Sequence, residues 1–301
     1  MNKFKINPGK YIPHYISREN FEIFTRKQRG KYVQIGRDGE QRCFAVCPAC
    51  DNPIQLIGLY GSKDGRIYGK HYCRSVINLA KHNEQAYRLC PFASNNYTPP
   101  SKEDRKSEMT DFEINIYNTV REHFDQIVYI IKAETGLYID ATFARDLLRN
   151  YYAARGWMYE WSTMYNIPWM TLYLYSGFDI YGKLVRKGRS LHELLSNNNK
   201  YKLINVNDNY DKVVTNTWVE SNFMACRHRR QVEDDEVRES ITLELAEKTS
   251  ESHNDHAWKT LWKKTLPINE SRFLKLITSN DRAKYKDDTI LMIAKQELPD
   301  L

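Results

Sequence analysis

A chain of 301 residues with 41% hydrophobic and 28% charged residues has ordinary globular composition and the length for two separate cores, which excludes a disordered polymer. Its net charge of +7 is uneven: residues 1–100 hold 16 Lys/Arg against 7 Asp/Glu, and the remainder 29 against 31. No run approaches the roughly 18 apolar residues of a membrane span, and the charged start has no apolar h-region, so no membrane partner and a cytoplasmic location are expected.

Residues 1–42 hold short apolar pieces broken by Pro8, Gly9, Pro13, Gly30, Gly36 and Gly39, with one or two helical turns from Ser17. Arg26, Lys27, Arg29 and Lys31 form a basic cluster that reads either as a phosphate contact or as a solvated loop. Residues 31–35 and 41–47 then predict a hairpin around Arg37, Asp38 and Gly39. A second hairpin, residues 54–60 and 66–72, turns at Gly61–Gly65, with Asp64-Gly65 suited to positive φ. It adds two further candidate nucleic-acid contacts, Arg66 and Lys70. Residues 75–89 predict a short helix closing on Cys90.

Five of the six cysteines fall between Cys43 and Cys90, together with His71 and His82. Cys47-Pro48-Ala49-Cys50 is a metal knuckle in form, because thiolates at this spacing can turn back on one ion. Cys90, before Pro91, supplies a third ligand. The fourth is His71 or Cys73; they lie two apart and would share a face of a strand, with the choice leaning to His71. Cys43 reads as a strand residue and His82 as an outsider. The cofactor expected is structural zinc, against an alternative of buried free thiols. A thioredoxin-type redox role is disfavoured because no βαβ context surrounds the knuckle. Residues 31–92 resemble zinc-ribbon and treble-clef-like modules, without the second tight CxxC pair of a strict ribbon. The resemblance implies small hairpins clamped by one zinc, in modules often attached to proteins that handle nucleic acid.

Residues 94–110 are polar and aperiodic, and Pro99-Pro100 interrupts regular structure, so a linker is expected to divide domains 1–93 and 111–301. Beyond it, Phe112, Ile116, Val120, Phe124, Ile127 and Ile131 recur at helical spacing, with Asp111 as cap and Gly136 as stop. A second helix starts at Asp140 and stops at Gly156. Residues 157–176 predict two short buried helices, and Ser190 with Glu193 a capping box. Residues 201–206 and 212–219 read as strands. Residues 233–247, 258–265, 271–277 and 289–297 read as helices. The fold class expected is α+β: a small β-rich zinc-binding N-terminal domain, then a mostly helical domain with a short β element.

The leading functional expectation is a zinc-stabilised nucleic-acid-binding protein acting with a protein partner. A metal-dependent nuclease is the first alternative, drawing on Asp140, Glu160, Asp179 and Lys183, or on His71, Asn78 and His82. A structural adaptor with a purely structural zinc is the second. His253 and His256 read as a metal pair or as helix-start residues, and Arg227-His228-Arg229-Arg230 as a charge-balanced surface. Lys183, Arg186, Lys187 and Arg189 form a second basic patch. No Gly-x-Gly-x-x-Gly, Walker loop or Gly-x-Ser-x-Gly elbow supports nucleotide hydrolysis or α/β-hydrolase chemistry.

Overall fold

A short pair, β1 (Lys3–Phe4) with β2 (His14–Tyr15), leads into α1 (Arg18–Thr25), where the Ser17 hydroxyl accepts from the Asn20 N–H. The computed structural model describes residues 1–36, 38–61, 65–93, 99–248, 258–279 and 285–301. Next come β3 (Val33–Ile35), β4 (Gln41–Val46), β5 (Pro53–Ile57) and β6 (Tyr68–His71), antiparallel in that order, so both expected strand pairings form. Arg37 and residues 62–64 of the two turns lie outside the described residues. Register aligns Cys43, Ala45, Ile54, Leu56 and Gly69 on one face, within a core cluster that includes Phe4 and Phe21. A Cβ at Gly69 would meet Ile54, Ile16 and Met1 at 3.0–3.1 Å, so those side chains would have to give way.

Of the helix expected over 75–89, only α2 (Glu84–Arg88) forms. Upstream, Val76 closes on Ala80 through a 2.9 Å backbone bond with Asn78 left-handed at φ 62. Asn83 then caps α2 with its side chain, a role Asn takes in preference to the helix interior.

Residues 94–98 of the expected linker lie outside the described residues. Residues 99–110 are held at several points. Lys102 donates to the Ala225 carbonyl and Arg105 to that of Ala154, while Lys106 is buried in an ion pair with Glu113. Thr110, not Asp111, caps α3 (Asp111–Glu122): Thr110 is extended, its hydroxyl accepts from Phe112, and its N–H donates to Glu113 in a capping box. The helix expected across 112–131 is two, since His123 leaves helical geometry before α4 (Phe124–Thr135). Gly136 ends α4 at φ 74 and Asp140 caps α5 (Ala141–Ala153), as expected. The aromatic stretch holds a single 3-10 turn, Gly156–Met158, and α6 (Ile167–Tyr173), both buried.

A second antiparallel sheet of order β7-β9-β8 is built from β7 (Leu184–Arg186), β8 (Tyr201–Asn205) and β9 (Tyr210–Thr215). Helix α7 (Ser190–Ser196) packs on it; its cap is Arg189, which makes no side-chain cap bond, so the Ser190 capping box is not formed.

The mostly helical expectation for the rest is corrected by three long antiparallel strands, β10 (Ser221–Glu233), β11 (Glu236–Lys248) and β12 (Trp258–Ile268). Residues 233–247 and 258–265 are therefore not helical. Glu, Leu, Ala and Lys favour helix, but Ile241, Leu243 and Leu245 alternate, and all three are buried on one face. Helices α8 (Arg272–Thr278) and α9 (Asp288–Glu297) complete the chain, with α9 against α3, α4 and α5. The fold is mixed α+β, with one buried cluster from residues 1–90 and another from residues 112–298. Among the described residues, no helix is long and apolar enough to cross a membrane.

Candidate metal centre

The knuckle sits where β4 ends. The Cys47 N–H donates to the Asn52 carbonyl at 2.8 Å and the Asp51 N–H to that of Cys47 at 3.3 Å, closing a tight turn around Pro48 and Ala49. Asp51 adopts φ 58, a left-handed geometry that Asp and Asn tolerate better than most residues. Its carboxylate is held by an ion pair to buried Lys5 and by the Gly9 N–H at 2.9 Å. Strand β6 ends on His71, and α2 leads to Cys90, so three elements converge on one point.

There Cys47, Cys50, His71 and Cys90 bring one ligand atom each to within 4.8 Å of one another. Cys47 Sγ lies 3.7 Å from Cys90 Sγ, and Cys50 Sγ lies 3.4 Å from His71 Nε2. The three cysteines are buried and His71 is half-buried. Burial raises the thiol of Cys50, and Cys47 beside it pushes it further up; Cys90 is raised by burial and by both neighbouring cysteines. Cys47 is also penalised by burial, yet hydrogen bonds from Cys50 and Cys90 and the nearby His71 bring its pKa well below the usual thiol range. Three crowded, buried thiols beside one imidazole form a donor set that a bound cation would satisfy.

A buried amide braces the set. Asn52 Nδ2 lies 3.4 Å from Cys50 Sγ and donates at 3.1 Å to the Asn83 carbonyl, while its Oδ1 accepts from the Asn83 N–H at 2.7 Å. The Asn83 side chain in turn caps α2 and donates to the Thr110 hydroxyl at 3.1 Å. The knuckle is thus tied, amide by amide, to the cap of α3. The expectation overlooked Asn52 and Asn83; an Asn two residues past a knuckle and an Asn before an acidic helix start were the available signals.

Of the two contenders for the fourth position, His71 joins the group and Cys73 does not. The strand stops at His71, so the alternation that would have put both on one face does not continue; Cys73 is exposed, near the Tyr87 hydroxyl. Cys43 is buried within β4, and His82 pairs with Glu84 at 3.1 Å.

The basic candidates divide between two edges of the four-stranded sheet. Arg26, Lys27 and Arg29 are exposed and Lys31 half-buried before β3, whereas Arg66 and Lys70 are exposed at β6. Lys27 is partly neutralised by Glu22 at 2.9 Å, and Lys27 and Arg18 hold the Glu22 carboxyl down to about 2.

The carboxylate and lysine candidates for a nuclease do not converge; of the other set, Asn78 and His82 line one cleft and His71 lies in the metal centre. Asp140 caps α5, Asp179 accepts from the Ser221 hydroxyl at 2.6 Å, Glu160 lines that same cleft, and Lys183 lies over Phe143 and Phe178. Among the described residues, the Cys/His set is the group found with metal-ligating geometry. His253 and His256 lie outside the described residues. Between the two cores opens a cleft of 1220 Å³, lined by side chains of both signs including His82, Arg88, Arg105 and Glu160.

The segment read as a charge-balanced surface is corrected for His228 and Arg230. A bulge at Arg227, φ 53, turns both inward, where Glu239 accepts from His228 Nε2 at 2.6 Å and from Arg230 Nε at 3.2 Å. Tyr165, at 2.5 Å, and Asn166, at 2.7 Å, complete the shell around that carboxylate.

No family model, curated protein or solved structure matches this chain, so the reading of the site rests on its own chemistry.

Proposed function

We propose that Cys47, Cys50, His71 and Cys90 hold one structural zinc ion, and that the protein is a zinc-stabilised nucleic-acid-binding protein working with a protein partner. The observation that carries the reading is the buried set of three thiols and one imidazole converging from three elements. Tetrahedral zinc with Zn–S bonds of about 2.3 Å puts its sulfurs about 3.8 Å apart. The 3.7 Å between Cys47 and Cys90 fits that edge. Thiolate and imidazole are the donors zinc favours over magnesium or calcium. Four protein ligands leave no open position for substrate, so the ion's contribution is to folding.

Nucleic acid is the favoured partner because the positive excess, 16 basic against 7 acidic residues in 1–100, accompanies the metal module. Elemental analysis is expected to give about one zinc per chain, with Cys47→Ser or Cys90→Ser losing it and unfolding the first core. A metal-free protein of unchanged stability would refute the centre. Affinity for labelled DNA or RNA is expected to fall steeply with salt. Tight protein association with no nucleic-acid affinity would select the adaptor, and Mg²⁺-dependent cleavage would select the nuclease.

A further inference from the structure

The β7-β9-β8 sheet has two unlike faces, and their difference follows from register. Pairing sets Leu184 against Lys212 and Arg186 against Tyr210, then Lys212 against Ile204 and Val214 against Lys202. Directly paired residues of an antiparallel sheet point the same way, and residues two apart share a face. One face therefore carries Val185, Val213 and Tyr201, all buried. The other carries Arg186, Lys202, Lys212, Tyr210 and Ile204, with Leu184 and Val214 half-buried among them. The backbone of Tyr138 extends that face past β7, its N–H donating to the Leu184 carbonyl at 2.9 Å. Lys132 lies over the Tyr138 ring at 5.1 Å.

Two properties of this outer face point to a ligand. The first is charge without compensation. The acidic residue within the three strands, Asp211, is turned to the opposite face, where it meets His192 at 2.8 Å and Lys187 at 3.2 Å. Among the described residues, Arg186, Lys202 and Lys212 take part in no ion pair, while Lys132, beside them on α4, lies near the carboxylates of Asp287 and Asp140. The second is aromatic surface left in solvent. Tyr138 is 43% exposed and meets Tyr210 edge-on, their ring centroids 5.6 Å apart and their planes at 71°. Ile204, opposite Lys212 on the same face, is 45% exposed.

We propose that this sheet face is a binding platform for unpaired nucleic acid. Cations spaced across adjacent strands follow a phosphate backbone, and accessible tyrosine rings stack on bases that are not buried in a duplex. A duplex offers no free base faces to Tyr138, and an acidic polypeptide gives the rings nothing to stack on. The platform is independent of the basic residues near the metal centre, since none of its residues belongs to that part of the chain.

The test uses the full-length, metal-loaded protein and fluorescence anisotropy with a labelled homopyrimidine 20-mer, alone and as a duplex of the same length. Unpaired strand is expected to bind more tightly than duplex. Lys202→Glu with Lys212→Glu is expected to weaken it at least tenfold and to flatten the salt slope by about 1.4, two phosphate contacts at about 0.7 each. Tyr138→Ala is expected to weaken it about fivefold or more while leaving the salt slope unchanged. Circular dichroism and metal content check that each variant is folded. Wild-type binding by both variants overturns the platform, as do preference for duplex and equal competition by polyglutamate. Arg26→Glu with Arg29→Glu separates the readings: loss of binding there alone leaves the metal-module reading standing and removes this one.

Discussion

Asn52 shows how much one side chain can govern at this centre, since its amide faces the Cys50 sulfur and fixes Asn83 with two hydrogen bonds. Partners of this kind orient metal ligands, and losing one costs about 10–100-fold in metal affinity. Asn52→Ala is expected to weaken binding of the proposed zinc ion by that factor in a competition titration with a chromophoric chelator, with the Cys50 thiol unchanged. In the same assay His71→Ala should lose affinity and Cys73→Ala should not; the reverse would exchange their places. A separate titration concerns His228. Burial lowers its pKa below 6.5, against the raising effect of Glu239, so the unfolded chain takes up this proton more readily than the fold does. Stability should therefore decline as pH falls through about 6.5 toward the folded value. Glu239 acts lower: burial pushes it up, but Arg230 and His228 hold it at about 2, so its contribution is full above about 4.5 and lost toward 2. Thermal melts from pH 7.5 to 5 should show the first decline, and His228→Gln should flatten it. At this scale the knuckle was legible because both thiols lie within one turn, whereas the choice between His71 and Cys73 hung on where a strand stops.

Among the elements, α3 depends on groups that lie before it. Its capping box joins Thr110 to Glu113, whose other oxygen pairs with Lys106 at 2.9 Å, and both charged side chains are almost wholly buried. Burial lowers the Lys106 pKa, while Glu113 favours its charged form. Removing one member of a buried pair strands the other, which costs about 3–5 kcal/mol. Denaturant melts of Glu113→Ala should show a loss of that size, and Thr110→Ala a loss of about 1 kcal/mol. The Lys106→Met, Glu113→Leu double variant should recover much of the first loss, because neither charge is then left alone. Elements were readable where a period was reinforced by local chemistry, as in α5 between Asp140 and its aromatic face. They were misread where propensity and period disagreed. In β11 the helix-favouring Glu, Leu, Ala and Lys lie on an alternation that only long-range pairing with β10 and β12 rewards. The inward turn of His228 and Arg230 was likewise invisible without the bulge that produces it.

Across the whole molecule, the two buried clusters meet through specific polar contacts. Lys3 pairs with Glu270, and Gln85 of α2 accepts from the Ser107 and Glu108 N–H groups at 2.8 and 3.0 Å. These contacts join residues far apart in sequence, which is why composition and periodicity could suggest two cores but not how they touch. The Asn52–Asn83–Thr110 connection also bears on the order in which the chain assembles. Its first link is set by the knuckle, and its last is the hydroxyl that caps α3, on which Tyr117 packs against Trp157 at 4.8 Å. If the proposed zinc organises the knuckle, a newly made chain without its ion should hold Asn83 less firmly, and the first turn of α3 should be looser. Refolding in the presence of a chelator should then leave the amides of Phe112 and Ile114 exchanging fast with solvent deuterium, while amides in the middle of β11 protect at their normal rate. On that reading, ion supply sets the tempo at which the second half of the protein matures, through the Asn52–Asn83–Thr110 connection.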